Sequence, residues 1–183
     1  DGIDLKAGYS FSNDLGQFAA NLTYTHVRQY EFSGVPGMVN GLLDSGVYDA
    51  SGTTGDGNLV RSMPDNKGTL TLSWRNGNQG ITLINRHIGS YRDLGYEGAL
   101  TTANDFSRAL LSREIDSYYT WDMQYNYNKA WDNTNLGSTT LTVGLLDAFN
   151  KTLPYRELSS LNYDATVFEG RGQRWYARAL WSF

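Results

Sequence analysis

His26 and His87 are the only histidines, and they stand far apart on stretches that read as different strands. No spacing of His with Asp or Glu matches a metal site. Cysteine is absent, which removes disulfides and thiolate chemistry. There is no nucleophile elbow, and no glycine-rich loop opens a helix to hold phosphate. The acidic pairs Glu114/Asp116 and Asp44/Asp49 have the atoms for acid–base work. Without a positioned partner they read as solvated charges. The expectation is therefore no catalytic residue, no metal, no cofactor and no enzyme.

What remains is recognition. The run Tyr91-Arg92-Asp93-Leu94-Gly95-Tyr96-Glu97 mixes aromatic rings with charges, as sugar- and siderophore-binding surfaces do. Tyr30, Tyr48, Tyr155 and Tyr163 add further rings in irregular stretches. The candidate ligand contacts are thus Tyr30, Tyr48, Tyr91, Arg92, Asp93, Tyr96, Tyr155 and Tyr163. Packing within the loops is the competing use of each ring.

The elements that must position these residues are strands. Gly2 to Phe11 alternates, with Ile3, Leu5, Ala7, Tyr9 and Phe11 on one face. The same period of two recurs from Gln17, from Lys67 to Trp74, in Ile115 to Asn128 and in Thr139 to Phe149. Ile81 to Tyr91 is a strand of mixed phase: Ile81 and Leu83 have one parity, Ile84 and Ile88 the other. A bulge would reconcile them. The last stretch, Gln173 to Phe183, sets Trp175, Ala177, Ala179, Trp181 and Phe183 on one side. Its length suits a tilted strand crossing a bilayer, with Trp at both ends where aromatic girdles lie.

Seven strands result, and their links alternate short and long. The short ones are about 12–16, 75–80 and 129–137; the long ones are about 32–63, 92–114 and 150–172. A short helical turn fits 102–113. Sorting of links by side is expected of outer-membrane barrels, with short periplasmic turns and long extracellular loops. The polar faces would line the lumen: Asp4, Lys6, Asn21, Thr23, Thr69, Thr71, Asp122, Gln124, Asn126, Thr140, Thr142 and Arg178. With 40% hydrophobic residues and no long apolar run, a membrane helix is excluded but a barrel is not. Aromatics at 14% and 20 glycines against 3 prolines favour strands and turns. A net charge of −4 gives no nucleic-acid footprint.

In this frame the chain resembles the C-terminal portion of a TonB-dependent outer-membrane receptor. Arg61-Ser62-Met63-Pro64-Asp65-Asn66-Lys67 is similar to the family's Pro-x-x-Lys entry to a strand. Thr120 to Tyr127 resembles its late aromatic-Asp-apolar-Gln strand. Val143 to Lys151 resembles its Val-Gly-x-x-Asn-Leu-Phe-Asp stretch, with Asp147 and Ala148 replacing Asn-Leu. Tyr163-Asp164 and Glu169-Gly170-Arg171 precede the last strand as similar elements do in the family, with Gly172 following the Arg. The terminal strand resembles the barrel-assembly signal, carried by Trp175, Trp181 and Phe183.

The resemblance implies an all-β transmembrane antiparallel barrel of about 22 strands, of which 1–183 supplies about seven. Seven strands cannot close alone, so the chain reads as a mature or cut piece of something longer, without the plug domain. Implied partners are the rest of the barrel and its plug, the TonB complex acting through the plug, the barrel-assembly machinery, and lipid and lipopolysaccharide. The implied place is the outer membrane of a Gram-negative bacterium. The implied function is import of a scarce, bulky solute such as a siderophore-iron complex or an oligosaccharide. An adhesin or secretion barrel, a barrel enzyme and a soluble carbohydrate-binding sandwich remain as alternatives.

Overall fold

The structure, a computed structural model, describes residues 1–33, 47–54, 62–93, 113–131, 137–156, 159 and 161–182. The described residues are all-β. Seven long strands form one antiparallel sheet: β1 (Gly2–Asn13), β2 (Gly16–Val27), β6 (Asn66–Asn76), β7 (Gln79–Ile88), β10 (Tyr118–Ala130), β11 (Ser138–Leu146) and β12 (Arg174–Ser182). Their order in the sheet is their order in the chain, a meander. The sheet is open. β1 and β12 are its outer strands, and since every pairing is antiparallel, both run in the same direction.

All seven strands expected from periodicity are present. Five short ones were not expected, because none is long enough to show a period. β3 (Glu31–Ser33) pairs with β4 (Val47–Asp49). β5 (Thr53–Thr54), β8 (Tyr91–Asp93) and β9 (Arg113–Ile115) form a second small sheet from two of the long links. The helical turn expected within 102–113 lies, Arg113 apart, outside the described residues. The expected bulge in β7 is absent. β7 pairs without interruption with β6, from Lys67↔Ile88 to Asn76↔Gln79, and with β10 from Tyr118↔Ile88 to Tyr127↔Gln79. Its mixed phase is instead divided between the two faces of the sheet.

Those faces differ sharply. One unbroken row runs Tyr9–Ala20–Leu72–Leu83–Met123–Leu145–Trp175 across all seven strands. Beside it run Phe11–Phe18–Trp74–Ile81–Tyr125–Val143–Ala177. The rings of Phe11 and Phe18 stack at 4.9 Å. Every Asp, Glu, Lys and Arg in the seven strands lies on the opposite face, except Lys129 at the far end of β10. Yet the apolar face is uncovered: Tyr9 is 69% exposed, Trp175 70% and Trp181 60%. Among the described residues no second sheet packs on it.

The strands are also staggered in one sense. The row through Tyr9 and Trp175 crosses β1 four residues from its turn end at Asn13. It crosses β12 seven residues from Ser182. Strands tilted against the long axis of a barrel produce such a drift.

The short turns are tightly specified. Asn13 Oδ1 accepts the Leu15 N–H (2.9 Å), and Trp74 Nε1 donates to the Leu15 carbonyl (2.8 Å). Gly16 has φ +124°, and a Cβ there would come within 2.4 Å of the Arg75 carbonyl. Only glycine meets both demands. Gly77 takes φ +55° to reverse the chain between β6 and β7.

Candidate functional site

The described parts of the three long links gather at one end of the sheet and pack on its charged face. Ile88 and Tyr118 pair with each other on that face. Phe168, from the link between β11 and β12, lies edge-on to Tyr118 at 5.2 Å and tilted to Tyr91 at 6.3 Å. With Ile115 these rings form the buried apolar cluster, joined by Ile88, Leu153, Tyr163 and Val167. This explains why Ile88 has the phase of the charged face: it packs against this buried cluster.

Beside the rings lies a knot of charge. Arg156 Nε donates to Asp93 Oδ2 at 2.8 Å, and its Nη1 lies 3.8 Å from Asp164 Oδ2. The Tyr91 hydroxyl donates to Asp164 Oδ2 at 2.9 Å. Thr166 gives Asp164 Oδ1 both its N–H (3.0 Å) and its hydroxyl (2.6 Å). Ser62 also hydrogen-bonds Asp164, and shares a hydrogen bond with Thr54 (2.5 Å). The first link thus contributes Thr54 and Ser62, the second Tyr91 and Asp93, the third Arg156, Asp164 and Thr166. The Asp164 side chain is fully buried, that of Asp93 nearly so, and that of Arg156 is partly buried.

Burial costs these groups solvation, and pairing decides their state. Burial pushes the Asp164 carboxyl up, but hydrogen bonds from Ser62, Thr166 and Tyr91 outweigh it and hold it below its ordinary value. Burial, then the charge and hydrogen bond of Asp164, drive the Tyr91 phenol well above its usual range. Burial lowers Arg156, but the hydrogen bond and charge of Asp93, with Asp164, raise it overall. Asp164 and Arg156 stay charged, and Tyr91 stays protonated.

A cleft of about 380 Å³ opens between this roof and the sheet. It is lined by Arg86, Asp122, Tyr118, Phe168, Glu169 and Arg174, among others. Arg86 pairs with Asp122, whose other oxygen accepts the Asp147 N–H (3.0 Å). Arg174 Nη2 pairs with Glu169 (3.1 Å). Guanidinium donors and carboxylate acceptors stand side by side, the chemistry for holding a polar solute. Among the described residues, no three His, Asp or Glu side chains gather to hold a metal.

The residues singled out in the sequence divide. Tyr91 and Asp93 are buried in the knot, Tyr163 is half-buried against the apolar cluster, and Arg92 and Tyr155 are exposed. Tyr30 is exposed, its N–H donated to Asp49 Oδ1 (2.9 Å). The backbone of Tyr48 pairs with Phe32 in the β3–β4 hairpin. The Tyr48 side chain, Tyr96 and Phe183 lie outside the described residues. Trp175 and Trp181 project from the apolar face. The polar set from Asp4 to Arg178 shares one face of the sheet, as expected. Arg156, Phe168 and Thr166 were not singled out, because irregular chain carries no period that points a side chain inward. Comparison with family models, with curated proteins and with solved structures finds no match to this chain.

Proposed function

We propose that this chain is a section of the wall, with its extracellular loops, of a TonB-dependent outer-membrane receptor that imports a bulky polar solute. One observation carries the membrane part: the apolar face spans seven strands, is uncovered, and lacks every charge but one at its edge. A water-soluble protein rarely exposes so large an apolar patch. A bilayer accepts it, and the charged face then borders the lumen. The one-sense stagger and the gathering of long links at one end support the same reading. The receptor part rests on the resemblance of Pro64–Lys67, Thr120–Tyr127 and Val143–Lys151 to the family's motifs. In this reading the cleft beneath Phe168 faces the lumen, where captured solute passes. The rest of the barrel, its plug and TonB supply closure and energy.

Lysine at Val143, mid-strand on the apolar face, tests the membrane part. Val143→Lys should destabilise the protein folded in lipid by about 2–4 kcal/mol, while Thr140→Lys on the charged face changes it little. Equal, small effects in both would mean that this face meets water. Transport is tested in cells carrying the full-length protein. Uptake of its solute should stop when the proton-motive force is dissipated, and persistent uptake would indicate a passive pore instead.

A further inference from the structure

The apolar face has a cation at each end. At the short-turn end, the Lys129 ammonium sits 4.5 Å from the centre of the Trp131 ring. At the loop end, the Lys151 ammonium sits 4.8 Å from the centre of the Tyr119 ring. Tyr119, Lys129 and Trp131 share the parity of the apolar face, and Trp131 Nε1 is fixed by a bond to Thr139 Oγ1 (2.9 Å). Between the two pairs this face carries no acid and no other Lys or Arg. We propose that Lys129 and Lys151 clasp the phosphates of anionic lipids, one at each surface of the bilayer. This rests on the membrane reading above and adds to it which residues meet which headgroup plane.

The spacing fits. Tyr119 and Trp131 are twelve residues apart, about 40 Å along an extended strand. At the 35–45° tilt of barrel strands this projects to about 28–33 Å, close to the roughly 30 Å of a hydrocarbon core. Each ring covers one side of its ammonium and stands where interfacial aromatics lie. An ammonium carries three N–H donors and a ring face satisfies only one side of it, and phosphate oxygens are the acceptors a headgroup layer offers. The chain's net charge of −4 repels an anionic surface at long range. A preference for anionic lipid must therefore be local, at these two sites.

The test reads the lipid beside one ring. In full-length protein in which Trp131 is kept and every other Trp is Phe, Trp131 fluorescence is quenched in vesicles by brominated phosphatidylglycerol or by brominated phosphatidylcholine at equal fraction. The anionic lipid should be enriched about five-fold beside the ring. Lys129→Gln should remove the enrichment and Lys129→Arg keep it. Lys151→Gln should do the same for a single Trp placed at Tyr119. Enrichment unchanged by Lys→Gln overturns the headgroup sites but leaves the membrane reading standing. If neither lipid quenches Trp131, both fall. Should the single-Trp background not insert, the Lys129→Gln difference is read on the wild-type spectrum, at an amplitude divided by the number of indoles in the full-length protein.

Discussion

Arg156→Met should untie the three loops. The substitution keeps most of the side-chain volume but takes the Arg156 guanidinium away from two buried carboxylates, Asp93 and Asp164. Breaking a buried pair in this way costs about 3–5 kcal/mol. The strands of the main sheet do not depend on Arg156, so the loss should be confined to the roof. Hydrogen exchange should show it: amides of β8, of β9 and of 162–168 lose protection by about 10²–10³-fold, while β10 and β11 keep theirs. Uniform loss across the sheet would mean that loops and wall unfold as one unit. The same knot predicts a pH window. The Asp164 carboxyl is held below its ordinary value of 3.8, so its contribution is present above that pH and lost as pH falls through the lower, folded value. The Tyr91 phenol is held above its ordinary value of 10.0, so its contribution is present below pH 10 and lost as the pH rises past it. Roof protection should therefore be flat between about pH 4 and 10 and fall on both sides.

The second large effect is expected at Gly144. A Cβ there would come within 2.2 Å of the Tyr176 ring, which lies flat across the glycine from the next strand. The Tyr176 hydroxyl donates to Gln124 Oε1 (2.7 Å), two strands away. Gln124 in turn donates to Asn126 Oδ1 (3.0 Å), which also accepts the Thr142 hydroxyl (2.9 Å). Gly144→Val must swing the ring aside, breaking this bridge across β10, β11 and β12. We expect a loss of about 1–3 kcal/mol in unfolding free energy, read as a lowered denaturant midpoint. In a Tyr176→Ala background the same substitution should cost little, since the clash is gone. An undiminished cost there would place the effect in the backbone of β11 instead.

The two faces of the sheet were legible because alternation over nine or more residues records which side meets which environment. β7 shows where this stops. Ile84 and Ile88 broke the phase set by Ile81 and Leu83 and suggested a bulge, yet Ile88 packs against the roof's buried cluster, whose Phe168 lies some 80 positions later. The knot itself was only half visible. Tyr91 and Asp93 drew attention as a run of rings and charges, but nothing local distinguishes a charge that greets a ligand from one that meets Arg156. Their partners come from links with no period, and only the fold joins them. The short strands β3, β5 and β9 were hidden for the same reason.

The co-directional outer strands have one more consequence. A second copy set beside the first, β12 against β1, would have to join by a parallel seam foreign to the rest of the sheet. A copy turned to bring like edges together would join antiparallel, but its loops would then hang at the opposite end of the sheet. Identical copies therefore cannot extend this sheet without breaking either its antiparallel pairing or the common placement of its loops. If the sheet closes into the proposed barrel with every seam antiparallel, the strands that close it are odd in number.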